Sequence, residues 1–128
     1  MKKITALLLI CLLVLSLAAC GTGEIRDGTY EIEASLTGGS GKAHIEKAVV
    51  EIRGETVTAT ITWSSPYYDF MIIDGVRYEP VNTEGNSVFV IPAALDRDLP
   101  VSADTVAMSQ PHLIDYTLRL DSSTMKEP

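Results

Sequence analysis

Hydrophobic and polar residues alternate with a period of two along most of the chain after residue 27. Between residues 57 and 63 the apolar side chains alternate with Thr58, Thr60 and Thr62. Successive side chains of a β-strand point to opposite faces, and β-branched residues pack well on a pleated sheet, so this pattern predicts half-buried strands. The predicted strands cover residues 30–36, 43–53 (with one interruption), 57–63, 67–73, 76–78, 87–91, 99–108 and 114–120.

Turn-forming sequences separate these segments at intervals of roughly 8–12 residues. Gly38-Gly39-Ser40-Gly41 ends the first strand, and Asp74-Gly75 is a strong two-residue hairpin signal. The connection at residues 92–98 has room for a single helical turn, and no other segment has a convincing helical pattern. The sequence therefore predicts an all-β fold, an immunoglobulin-like antiparallel β-sandwich of seven to eight strands.

The N-terminus differs from the rest of the chain because it is almost continuously apolar. Lys2 and Lys3 precede about 14 apolar residues, fewer than the ~20 that a membrane-spanning helix needs. The run ends in Leu17-Ala18-Ala19-Cys20, which resembles a bacterial lipobox. We expect residues 1–19 to be a lipoprotein signal peptide, and the alternatives are an ordinary secretory signal or an uncleaved anchor. Cys20 then carries the lipid, which anchors an exported protein to the extracytoplasmic face of the cell membrane.

The signal peptide determines the domain organisation that we expect. Residues 20–27 form the lipidated cysteine and a short tether, residues 28–121 form the β-sandwich, and residues 122–128 form a polar tail. Removal of residues 1–19 from the 128-residue chain leaves 109 residues, enough for one small domain. Cys11 is discarded with the signal peptide and Cys20 is lipidated, so we expect no disulfide in the mature domain.

The charge of the chain limits its partners. The net charge is −7, and loss of Lys2 and Lys3 takes the mature part to −9, with 8 basic and 17 acidic residues. Phosphate neutralisation by Lys and Arg supplies most nucleic-acid affinity, so we expect no nucleic-acid partner. The same acidity disfavours binding to anionic lipid, and the acyl chains rather than the protein surface would anchor the domain.

Motifs for catalysis are missing from the sequence. There is no Gly-x-Ser-x-Gly nucleophile motif, and the glycines before Lys42 lack the spacing of a phosphate-binding loop. His44 and His112 have neither a cysteine partner nor the spacing of a zinc site on a helix. We therefore expect a binding protein rather than an enzyme.

Candidate binding residues concentrate in two segments, residues 63–71 and 108–116. The first contains Trp63, Tyr67 and Tyr68, and the two tyrosines are consecutive. Consecutive side chains of a strand point to opposite faces, so at least one tyrosine should lie at the surface or line a pocket. We expect the breaks at 64–66 and 109–111 to fall at the same end of the sandwich and to bring the two segments together.

The second segment contains Met108, His112 and Tyr116. In a regular strand His112 and Tyr116 share a face, with their Cα atoms about 13 Å apart. In the interpretation without a ligand, Tyr116 is a core residue and His112 is an exposed surface residue. In the ligand-binding interpretation His112 makes the main contact with the ligand. Tyr116 or Tyr67 lies near the ligand, and the polarisable sulfur of Met108 adds a further contact.

The order and local pattern of the segments from about Asp27 to Asp121 resemble the NEAT (near-iron transporter) haem-binding domains of bacterial cell surfaces. Domains of this family carry a Tyr-x-x-x-Tyr signature near their end. In this sequence His112 stands at the position of the first tyrosine and Tyr116 at the position of the second. The resemblance implies that His112 takes the position of the iron ligand, that Tyr116 supports it, and that Ser40 takes the place of the serine that contacts the haem propionates. Histidine is itself a common haem ligand.

Two functions follow as expectations. The first is a cell-surface lipoprotein that captures or relays haem or another iron or tetrapyrrole ligand. The second is a protein-interaction domain without a small ligand, accessory to the binding protein of an ABC transporter.

Overall fold

The computed structural model describes residues 25–107 and 112–128, and within these residues the regular secondary structure consists of eight β-strands and no helix. The strands are β1 (Gly28–Gly38), β2 (Ile45–Arg53), β3 (Thr56–Trp63), β4 (Tyr68–Ile73), β5 (Val76–Tyr78), β6 (Val88–Ala93), β7 (Leu99–Thr105) and β8 (His112–Lys126). No helix in the described part of the chain is long and apolar enough to cross a membrane.

All neighbouring strands pair antiparallel, in the order β5-β4-β7-β8-β1-β2-β3-β6. The two edge strands, β5 and β6, also contact each other, so the sheet curls into a nearly closed, barrel-like and sandwich-like body. The prediction of an all-β antiparallel fold with seven to eight strands is confirmed. The sheet continues through hydrogen-bonded neighbours across all eight strands rather than splitting into two separate sheets.

The core lies on the inner face of this curled sheet. In β3 the inward residues Ala59, Ile61 and Trp63 are fully buried, while the threonines that alternate with them are half-buried. The same alternation recurs on the other long strands, which is why a chain with a period of two forms one continuous core. The largest fully buried side chains are Trp63, Phe89, Ile61, Met71, Ile91, Leu118, Leu120 and Val50.

The interruption predicted in the second strand is a bulge. The pairing of β2 with β3 shifts register between Ile45 and Lys47. Ile45 and Ala48 are both buried although they are three residues apart, and the extra residue of a bulge allows this. Ala43, which we expected in the strand, precedes it as a half-buried loop residue.

The last strand extends beyond the expected boundary at residue 121, and it places five residues of the predicted polar tail in β8. A register shift in the β1–β8 pairing accommodates them, since Glu33 pairs with Asp121 and Glu31 with Lys126. The Thr124 hydroxyl accepts a hydrogen bond from the Glu33 backbone N–H at 2.9 Å, and Met125 packs against the core. Polar residues thus continue the sheet where the hydrophobic pattern stops.

The connection between β6 and β7 contains no helical turn. Asp96 instead adopts a left-handed conformation with φ of 59°. Its carboxylate accepts hydrogen bonds from the backbone and the hydroxyl of Ser122, the first at 2.8 Å. Arg119 donates to the Asp96 carbonyl at 3.0 Å and pairs with Asp98 at 3.1 Å. These contacts fix the loop against β8.

Strand pairing defines two ends of the barrel. Gly28 pairs with Ile52 at the end where the described chain begins, which we call the N-terminal end. β1 finishes at the opposite end, where Gly38 pairs with Tyr116 and where β8 begins at His112. We call this second end the His112 end.

Candidate functional site

A depression of about 530 Å³ opens at the His112 end, and we call it the His112 groove. Its size lies within the range of small-molecule sites, about 300–1,000 Å³. Four residues that the sequence analysis singled out line it, namely Ser40, Tyr68, His112 and Tyr116. The other lining residues are Lys42, Ala43, Ser64, Ser65, Thr105, Ala107, Leu113 and Ile114.

Two tyrosines over a tryptophan form the floor of the groove. The ring centroid of Trp63 lies 4.1 Å from that of Tyr68 and 5.3 Å from that of Tyr116. The rings of Trp63 and Tyr116 meet edge to face. Trp63 is fully buried and does not line the groove, whereas Tyr68 and Tyr116 keep 7% and 5% exposure. Trp63 therefore supports the floor instead of touching a bound ligand. Aromatic pairs of this kind add about 0.5–1.5 kcal/mol beyond the area they bury.

Tyr68 and Tyr116 lie together in the floor, where both rings contact Trp63. Burial raises the pKa of the Tyr68 hydroxyl well above its usual range, and the neighbouring Tyr116 side chain raises it further. Tyr68 therefore remains a neutral phenol at every physiological pH. It presents a hydroxyl rather than a phenolate to the groove.

His112 lies at the open mouth of the groove. His112 on β8 pairs with Thr105 on β7, and on the other side of β7 the same Thr105 pairs with Tyr68 on β4. With neighbouring strands about 4.8 Å apart, the Cα atoms of His112 and Tyr68 are about 10 Å apart across the mouth. The imidazole belongs to an exposed residue, so a ligand in the groove can reach it.

His112 and Tyr116 lie on one face of β8. The β7–β8 pairing runs without a register shift from Leu118 to His112, so the strand is regular here. Ile114, half-buried, lies between them on the same face. The expected spacing of about 13 Å between the two Cα atoms therefore holds, and the pair spans the groove from rim to floor.

A glycine lets the β1–β2 loop approach the floor. Gly39 has φ of 59°, and a Cβ at this position would lie 3.2 Å from Tyr116 Cε1 and 3.2 Å from Ile114 Cγ2. Glycine adopts this left-handed conformation without steric cost, and its lack of a Cβ leaves room for Tyr116 and Ile114. The loop forms one wall of the groove and places Ser40 and Lys42 on the rim.

The corner at residues 64–67 is held by Ser87, which the sequence analysis missed. Ser87 is 4% exposed, and its hydroxyl accepts a hydrogen bond from the Tyr68 N–H at 3.2 Å. Its backbone accepts from the Trp63 N–H and donates to the Ser65 carbonyl, both at 2.9 Å. A serine at the start of a strand resembles a surface residue in the sequence, so no local pattern indicates this role.

The two consecutive tyrosines behave as predicted. Tyr68 is buried in the floor and Tyr67 is 52% exposed. Tyr67 does not line the groove, and its carbonyl accepts a hydrogen bond from the Val106 N–H at 2.9 Å. Met108 lies outside the described residues, as does Cys20.

A carboxyl pair outside the groove was also missed by the sequence analysis. Asp104 on β7 is 6% exposed, and Asp69 lies at a register shift in the β4–β7 pairing. Burial raises the pKa of the Asp69 carboxyl, and the neighbouring carboxyl of Asp104 raises it further. Arg77, which stacks on Phe70 at 3.9 Å, opposes this shift through its charge.

Within residues 25–107 and 112–128, no three or more His, Cys, Asp or Glu side chains are grouped so that they could hold a metal ion. Comparison of the sequence with protein-family models finds no match, and comparison with curated proteins finds no significant match. The resemblance to NEAT domains stays a prediction.

Proposed function

We propose that this protein is an exported lipoprotein that binds haem or a related planar tetrapyrrole in the His112 groove. The observation that carries the proposal is the convergence of Ser40, Tyr68, His112 and Tyr116 on one groove from three separate parts of the chain. An aromatic floor offers a flat apolar surface to a flat ligand. The exposed imidazole at the mouth offers the donor atom that haem iron most often takes from a protein.

The protonation of Tyr68 supports histidine rather than tyrosine as the iron ligand. Tyrosine binds haem iron as a phenolate, and the raised pKa of Tyr68 disfavours that form. A neutral imidazole needs no such ionisation. In this proposal His112 binds the iron, while the hydroxyls of Tyr68 and Tyr116 orient the ligand from the floor.

The rim supports the same ligand class. Haem carries two carboxylates, and the loop after β1 presents Lys42 and the Ser40 hydroxyl beside the groove. A cation and a hydroxyl donor suit carboxylates on the ligand. Lys42 is a local positive charge in a mature chain with a net charge of −9.

One observation favours the alternative, a protein-interaction domain accessory to a transporter's binding protein. Leu113, Tyr67 and Val106 are 53%, 52% and 40% exposed, and they lie at the same end of the barrel as the groove. Exposed apolar side chains beside a groove are also typical of protein-interaction surfaces.

A spectral titration with haem distinguishes the two functions. The mature domain should shift the Soret band on binding, with saturation at one haem per chain, and Tyr116→Phe should weaken binding without abolishing it. The absence of any shift in the wild type would dismiss haem and leave the interaction domain. Lipidation is tested separately: Cys20→Ala should abolish acyl labelling, and normal labelling of that variant would refute the assignment.

A further inference from the structure

A second apolar depression, of about 560 Å³, lies at the N-terminal end. Ile25, Ile52, Val57 and Leu95 supply its apolar lining. Ile25 is 39% exposed, and Val57 and Leu95 are half-buried. This N-terminal depression is therefore an apolar surface that no described element covers, at the point where the chain enters the barrel.

The position of Cys20 restricts what can cover this surface. Ile25 is the fifth residue after Cys20, and an extended chain of five residue steps spans at most about 18 Å. β1 has 11 residues and carries the chain about 35 Å to the opposite end of the barrel. A lipid on Cys20 therefore keeps the N-terminal depression close to the bilayer, whereas the His112 groove lies far from the anchor.

We propose that the N-terminal depression rests on the phospholipid surface in which Cys20 is anchored, so that the His112 groove faces away from the membrane. The inference rests on the proposed lipidation. The tether supplies a high effective concentration, so a weak contact by Ile25 and Leu95 is sufficient to orient the domain.

The charges at this end indicate an apolar rather than an electrostatic contact. The carboxylates of Asp27 and Glu55 line the depression, and Asp27 already accepts a hydrogen bond from the Gly54 N–H at 2.8 Å. Arg53 is paired with Glu51. Because the charged residues that line the depression are both acidic and the nearby Arg53 is paired, attraction to anionic lipid does not drive the contact. The contact should therefore form on zwitterionic lipid and should not need low salt.

The orientation has a consequence for the ligand. The groove opens toward the aqueous side, at the far end of an 11-residue strand from the bilayer. A tetrapyrrole bound there would be exchanged with a soluble or protein-bound donor rather than drawn from the membrane.

The test uses the lipidated protein, purified from membranes and reconstituted into phosphatidylcholine vesicles that contain a lipid with a nitroxide quencher. A fluorophore is attached at Glu55→Cys, which lies in the depression but is distant from Cys20 in sequence. The matched label is placed at Val90→Cys on β6, which is 41% exposed. We expect the lipid to quench the label at 55 and to leave the label at 90 unquenched.

A charge placed in the depression separates docking from simple tethering. Ile25→Glu should reduce the quenching at position 55 to the level at position 90. Val76→Glu, at a residue that is 52% exposed on β5, should leave it unchanged. Equal quenching at the two labels, or quenching that Ile25→Glu does not alter, would overturn the docking while leaving the lipid anchor intact. A protein that fails to float with vesicles at all would instead overturn the lipidation on which the inference rests.

Discussion

Tyr68 on β4 and Tyr116 on β8 lie together in the floor of the His112 groove, although β7 separates their strands in the sheet. Both rings pack on Trp63, which is fully buried. Trp63 thus joins two segments that are distant in sequence into one aromatic floor.

Removing the Tyr116 hydroxyl should lower the pKa of Tyr68. The neighbouring Tyr116 side chain raises that pKa, while burial, the largest cause, remains in Tyr116→Phe. The Tyr68 pKa should fall toward the ordinary value but stay above it. Ultraviolet titration of the tyrosines measures this change. Tyr67→Phe, at the exposed neighbour, should leave the Tyr68 pKa unchanged, and an equal effect of both variants would contradict the role of Tyr116.

The two glycines of the β1–β2 loop offer a matched pair of substitutions. Gly39 and Gly41 both have positive φ, so alanine at either position should cost about 1–2 kcal/mol. A Cβ at Gly39 crowds Tyr116, whereas a Cβ at Gly41 meets nothing within 4 Å. Gly39→Ala should therefore disturb the near-ultraviolet signal of the aromatic floor and weaken ligand binding, and Gly41→Ala should do neither. Indistinguishable spectra for the two variants would argue against the loop as a wall of the groove.

The carboxyl pair should make stability depend on pH. The folded-state pKa of Asp69 is raised above its unfolded value, so its favourable contribution is complete at low pH and is lost as the pH rises through the folded-state pKa. Asp69→Asn should consequently be more stable than the wild type at pH 7, with the difference disappearing below about pH 4, near the ordinary aspartate pKa. Asp74→Asn, in the exposed β4–β5 turn, serves as control. If Asp69→Asn remained more stable than the wild type at low pH, the stabilisation would not be electrostatic.

Truncation tests whether residues 122–126 belong to the folded domain. Deletion of residues 122–128 removes Met125 from the core and Thr124 from its bond with the Glu33 N–H. We expect a loss of about 1–2 kcal/mol, the scale of partly burying one methionine side chain. Deletion of residues 127–128 alone, which lie after β8, should have little effect. Equal melting temperatures for the two deletions would restore the interpretation of this segment as a tail.

The hydrophobic pattern predicted the strands whose inner face is continuous. In β3 the alternation of Ile61 and Trp63 with threonines was sufficient, because the pleat allows only one face to enter the core. The same rule predicted that Tyr67 and Tyr68 point to opposite faces, and the structure has Tyr67 exposed and Tyr68 buried. The glycine spacing likewise located the turn after β1, where Gly39 has positive φ.

The sequence could not predict the features that depend on polar contacts over long separations. Ser122 is bound by Asp96, whose left-handed backbone replaces the expected helical turn. Ser87 holds the Trp63 corner through its hydroxyl and backbone. Hydrophobic periodicity contains no information on such pairs, because each partner is an ordinary surface residue until the fold brings them together.

The most direct test of the central claim is a haem titration of His112→Ala beside His44→Ala. Both histidines are exposed, but only His112 lines the groove. The account predicts that His44→Ala shows the same Soret shift and affinity as the wild type, whereas His112→Ala loses the spectrum of histidine-ligated iron and binds haem more weakly. No shift in the wild type, or an identical shift in His112→Ala, would contradict it.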